Sequence, residues 1–129
     1  MSTSEAITRS VRVQVRCEFA PDRSAPGNQH WFFLYTITIA NEGDETVQLM
    51  TRHWTITDGN SEVREVHGPG VVGQQPVLPP GESFTYTSGC ALTTPFGTME
   101  GTYQMVAPGG EAFDVRIAPF TLSEPYTVH

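Results

Sequence analysis

Val11-Arg12-Val13-Gln14-Val15-Arg16-Cys17-Glu18-Phe19 alternates apolar and polar residues without a break. Successive side chains on a β-strand point to opposite faces. This stretch therefore has an apolar face (Val11, Val13, Val15, Cys17, Phe19) and a polar reverse, and it reads as a half-buried strand. Cys17, in phase with the valines, is expected to be a buried structural thiol rather than a reactive one. The same period continues from His30 to Asn41. Trp31, Phe33, Tyr35, Ile37 and Ile39 form a strongly apolar face, and Phe32, Leu34, Thr36 and Thr38 a partly apolar one. Such a strand suits the centre of a sheet. Between the two, the proline- and glycine-rich stretch from Pro21 to Asn28 is expected to be a mobile surface loop.

From Thr46 to Thr57 the alternation changes phase. Val47 and Leu49 occupy odd positions, whereas Met50, Trp54 and Ile56 occupy even ones. A strand that changes face needs an extra residue, so a bulge or bend is expected near Leu49 to Thr51. Asp58-Gly59-Asn60 signals a hairpin turn, with Glu62 to His67 as the return strand. Further strands are expected at Ser83 to Ser88, Gly101 to Ala107 and Ala112 to Ile117. Ala118 to Leu122 is expected to form an edge segment around Pro119. No stretch holds a helical period over three turns. The reading is all-β: an immunoglobulin-like or fibronectin type III-like sandwich of about seven strands, with a closed barrel as the alternative. Residues 1–8 are expected to be a flexible N-terminal tail and residues 9–129 a single domain.

Formal net charge is −7, and the seven basic residues are all arginine. The acidic balance disfavours partners with a phosphate backbone and anionic membrane surfaces, so neither nucleic acid nor membrane is expected. Without lysine, Schiff-base chemistry and a P-loop are excluded. The start, Met1 to Thr8, is polar with no apolar core of a signal peptide, and no apolar run has the length of a membrane span. The expectation is a cytoplasmic protein with reduced thiols.

Gly68-Pro69-Gly70-Val71-Val72-Gly73 matches G-x-G-x-x-G. In a nucleotide-binding fold a helix must follow, and Gln74-Gln75-Pro76-Val77-Leu78-Pro79-Pro80 cannot propagate one. What survives is a candidate anion loop at Gly68, Gly70 and Gly73, against the plainer reading of glycines that supply turn dihedrals. His30, His53, His67 and His129 show no metal-ligand spacing. His53 and His67 could meet across a hairpin, but the sequence supplies no third ligand, so no metal site is assigned. There is no G-x-S-x-G elbow and no placed carboxylate pair. The expectation is therefore no enzyme and no cofactor. Phe32 and Leu34, on the weaker face of their strand, are the candidate docking surface for a protein partner. Exposed strand edges would permit a monomer or a weak homodimer.

Several stretches resemble the bacterial ApaG family. They are residues 35–41 (YTITIAN), 52–59 (RHWTITDG), 70–82 (GVVGQQPVLPPGE), 86–90 (YTSGC) and, most specific, 94–105 (TPFGTMEGTYQM), with the closing Val128-His129. The resemblance spans roughly Val11 to His129 and implies a fibronectin type III-like sandwich. It also implies an association with cobalt and magnesium efflux and with a gene neighbourhood containing a diadenosine tetraphosphate hydrolase. Similar domains in an F-box protein and in a DNA polymerase delta-interacting protein look like interaction modules. The family's glycine loop falls on Gly68, Gly70 and Gly73. Many members carry an acidic residue where this chain has Pro69, and proline removes one N–H from any anion nest.

Three functions follow as expectations. The first is a non-enzymatic protein-interaction module, linked only indirectly to efflux because nothing here spans a membrane. The second is a sensor of a pyrophosphate or dinucleotide such as diadenosine tetraphosphate, with Arg64 or Arg52 beside the glycine loop. The third is a direct binder of divalent metal.

Overall fold

The structure is a computed structural model that describes residues 1–125. Val128 and His129, named above for their family resemblance or histidine character, lie outside the described residues.

Among the described residues nine strands form: β1 (Ser2–Thr8), β2 (Val11–Phe19), β3 (Trp31–Asn41), β4 (Val47–Asp58), β5 (Val63–Pro69), β6 (Val77–Leu78), β7 (Ser83–Leu92), β8 (Phe96–Val106) and β9 (Ala112–Ser123). They form two antiparallel sheets. One has the order β1-β2-β3-β7; the other has the order β5-β4-β8-β9, with short β6 also paired to β4. The all-β sandwich expected from the alternation is the observed fold. Two separate hydrogen-bonded sheets replace the barrel alternative.

Residues 2–8 are not a tail. They pair with β2 along their whole length, from Ser2 opposite Cys17 to Thr8 opposite Val11. Backbone hydrogen bonds secure this strand, so its side chains need little apolar character. The stretch expected to be a mobile loop forms two 3-10 turns, Pro21–Arg23 and Pro26–Asn28. Ser24 ties it down: its hydroxyl donates to the Ala20 carbonyl at 2.7 Å and accepts the Phe32 N–H at 2.8 Å.

The phase slip in β4 is a bulge. Leu49 faces Met105 and Thr51 faces Gln104, which leaves Met50 with no partner on β8. Its carbonyl is thereby freed for a neighbour, and the glycine loop uses it. A second bulge lies where Ala118 and Pro119 of β9 oppose Glu100, so the proline occupies a position that has no ladder bond to donate.

The two inner faces interdigitate in one core. Val11, Val13, Phe33, Ile37, Ile39, Leu49, Tyr103, Met105, Val115 and Leu122 are completely buried. Tyr35, Trp54 and Phe120 meet at ring-centroid distances of 5.5 and 5.9 Å. Cys17 is buried as its phase required, and burial pushes its thiol up to about 12. Cys90 lies on the far side of β3, opposite Phe33, while Cys17 lies opposite Tyr35. Two strand spacings across the sheet, about 9–10 Å, and a two-residue stagger along it separate them. That exceeds the reach of a disulfide, and both thiols are free.

Candidate functional site

The long sides of the sandwich differ. On one, β1 is laced to β9 by side chains: Ser2 and Ser4 donate to the Thr121 and Ala118 carbonyls, and the Arg116 N–H donates to Thr8 Oγ1. Arg9 adds an ion pair to Glu111 at 2.6 Å. On the other side β5 and β7, each the last strand of its sheet, face each other across a cleft of about 380 Å³. A smaller hollow of about 260 Å³ continues it toward Asp58 and Glu62 and shares Ile56, Arg64 and Ala91 with it.

Two arginines line the cleft. Beyond the bulge in β4, Arg52 shares the inward phase of Trp54 and Ile56. Its guanidinium lies over Gly68, where a Cβ would come within 2.9 Å of it. It donates from one nitrogen to the carbonyls of Pro69 (3.0 Å) and Gly70 (2.9 Å). Arg64 extends from β5 toward β7 and donates to the Ala91 carbonyl at 3.2 Å. Neither pairs with a carboxylate among the described residues, whereas Arg9 and Arg12 do. Opposite them lie Tyr35 and Tyr86, and Tyr86 hydrogen-bonds the wholly buried Tyr103. Burial holds all three phenols above their ordinary value.

The glycine loop closes one end of this cleft, and its geometry assigns each glycine a part. Gly68 leaves room for Arg52. Gly70 takes φ +61° with the Gln74 carbonyl against its α-carbon, where a Cβ would approach to 2.2 Å. Gly73, at φ +78°, follows Val72, at φ +43°, in a two-residue turn bounded by Val71 and Gln74. A β-branched residue rarely adopts that backbone, yet Val72 sits there half exposed. Three of the loop's N–H groups are engaged within the fold. Gly70 donates to Met50, and Val71 and Gln74 donate to each other, each bond at 2.8–2.9 Å. Gln75 also donates from its side chain to Met50, at 2.9 Å. The bulge thus anchors the loop. Arg52 and Arg64 place formal positive charge in the cleft beside the loop.

Phe32 and Leu34 lie on the outer face of the first sheet, away from the cleft and both half-buried. The Phe32 ring covers Gly89, whose added Cβ would meet it at 2.3 Å, and Arg23 lies over that ring at 4.9 Å. The fold itself uses this aromatic.

The β4–β5 hairpin does bring His53 and His67 together. They are directly opposite in register, with rings stacked at 3.9 Å. The third group that the sequence did not identify is Glu65, at 2.9 Å from His53 Nε2. The signal was available: once His53 faces His67, Glu65 stands two residues away on the same strand face.

These features define a class: a fibronectin type III-like β-sandwich with one laced side and one open, arginine-lined side. The ApaG domain model matches residues 21–107, and the chain belongs to the ApaG domain family. Protein ApaG of Dechloromonas aromatica is 56% identical over 119 residues, covering 92% of this chain and 94% of that one. Protein ApaG of Beijerinckia indica is 52% identical over 121 residues, 94% of this chain and 93% of the relative. A Bordetella pertussis crystal structure solved under the name ApaA superposes with a TM-score of 0.87 at 51% identity, covering 91% of this chain and 95% of that one. Among the described residues no helix is long and apolar enough to cross a membrane.

Proposed function

We propose that this chain is a non-catalytic, cytoplasmic interaction module that receives an extended acidic segment of a partner protein in the cleft between β5 and β7. One observation carries the reading: among the described residues, two unpaired strand edges flank a groove containing two guanidinium groups without carboxylate partners. An extended peptide adds its backbone to a sheet edge, and alternate side chains then enter the groove. Carboxylates entering there would meet Arg52 and Arg64 in charge-assisted bonds. Exposed Val63 and Val72 supply apolar rim contacts. Any influence on cobalt or magnesium efflux would act through such a partner.

The test is photo-crosslinking in cells from a probe at position 63, on the rim. An acidic partner segment captured by the native chain and lost in Arg64→Gln supports the reading. Equal capture by both, or capture only from a control probe at Ile7 on the laced side, overturns it.

The cleft volume favours one second reading, a small pyrophosphate-bearing ligand held by the same arginines. Trp54 lines the cleft and reports on it. A saturable change in its fluorescence with pyrophosphate, abolished by Arg64→Gln, would select this reading over the peptide.

A further inference from the structure

We infer that the outer face of the β4–β5 hairpin is a binding site for a borderline divalent transition metal, with His53, His67 and Glu65 as ligands. The site is separate from the cleft: Arg52, Trp54 and Ile56 of β4 line the cleft, while the alternating His53 points to the opposite face.

Donor chemistry comes first. Two imidazoles and one carboxylate suit zinc, nickel or copper and do not suit magnesium or calcium, which take oxygen ligands. Three protein donors of this kind leave a fourth tetrahedral position open for water or a partner group.

Geometry comes second. One donor atom from each residue can be chosen so that all three lie within 4.8 Å of one another. Tetrahedral zinc with bonds of about 2.0–2.1 Å needs donors about 3.3 Å apart. Side-chain rotation alone closes that gap, because Glu65 and His67 are exposed and His53 is only partly covered. The backbone is already placed: His53 and His67 are register partners, and Glu65 already contacts His53 Nε2.

Charge comes third. Two imidazolium rings stacked at 3.9 Å would repel each other. Two neutral rings offer lone pairs to a cation. The shallow hollow beside His53 contains the carboxylates of Glu100 and Asp114 against the single guanidinium of Arg116, a local excess of negative charge.

The experiment is calorimetric titration of the full chain with Zn2+, and separately with Mg2+. It compares the native protein with His67→Gln, Glu65→Gln, the double variant His53→Gln/His67→Gln, and His30→Asn as a distant exposed control. Each variant is first melted without metal to confirm that it folds. The expected result is one Zn2+ per chain, no saturable Mg2+ binding and unchanged affinity in His30→Asn. Loss of an outer-sphere partner already costs about 10–100-fold, so each ligand variant should bind at least about tenfold more weakly. Zn2+ should also raise the melting temperature of the native chain reversibly with chelator. Native-strength binding in the double variant, a stoichiometry other than one, or an undiminished affinity in Glu65→Gln would overturn the three-ligand site.

Discussion

Tyr103 has no solvent exposure, and the only hydrogen-bond partner of its hydroxyl among the described residues is Tyr86, on the cleft wall. The pair is therefore asymmetric. Tyr86→Phe leaves a phenol oxygen sealed in the core, at a cost of about 1–3 kcal/mol. Tyr103→Phe leaves the Tyr86 hydroxyl where cleft water can reach it and should cost less, about 0.5–1.5 kcal/mol. Urea denaturation of both variants and of the double variant measures this. The expected order is Tyr86→Phe least stable, with the double variant closer to native than the sum of the singles. Equal losses would mean that the two hydroxyls are equally dry. Asn41, a buried side chain elsewhere in the core, shows a fully satisfied group. Its amide donates to the Glu45 and Leu78 carbonyls at 2.7 and 2.9 Å and its oxygen accepts from Gly43 at 3.0 Å.

Among the elements, β1 separates what alternation reveals from what it hides. Ser2-Thr3-Ser4-Glu5-Ala6-Ile7-Thr8 has no apolar face, and Ile7 is more than half exposed. Removing a true tail would change stability within about 0.5 kcal/mol. Removing a paired strand should cost more, and at this chain length each kcal/mol lowers the melting temperature by about 4 °C. A chain starting at residue 9 should therefore melt several degrees lower by calorimetry; an unchanged melting temperature would return β1 to the status of a tail. β2 and β3 were legible because their burial alternates with the side chains. The β4 bulge was legible because a slipped phase has no other cheap explanation. The second bulge was not, since Ala118-Pro119 marks a bend without indicating what lies across it. Arg52 and Arg64 could be placed beside the glycine loop because one hairpin carries all three. Tyr86, Ser88 and Cys90 could not, because they reach the cleft from the other sheet and no local pattern encodes which strand faces which.

For the molecule as a whole, the two exposed ion-pair clusters lie near the ends of β1 and β2. Arg12 clasps Glu42 at 2.8 Å and Glu5 at 3.0 Å, and Arg9 clasps Glu111. The hydrogen-bonded guanidinium holds the Glu42 and Glu111 carboxyls below their ordinary range. A depressed folded value means that the stabilisation is present above the unfolded pKa of about 4.3 and is lost as pH falls through the folded one. Both groups are exposed, so global stability should change little. The expected effect is local: NMR titration should show both carboxyls titrating below about 4.3, with amide exchange in β1 accelerating over the same acid window. Titration at the ordinary value with unchanged β1 exchange would show the clasps to be idle.

The lacing of β1 to β9 and the gap between β5 and β7 give the sandwich a spine and a fore-edge. The start of β1 and the end of β9 run along the spine, where Ser2, Thr121 and Glu124 border one shared hollow. Anything joined ahead of β1 therefore departs from the back of the binding, and the pages stay free to be read. The same body can be strung onto a longer polypeptide at its N-terminus without a linker passing over the opening.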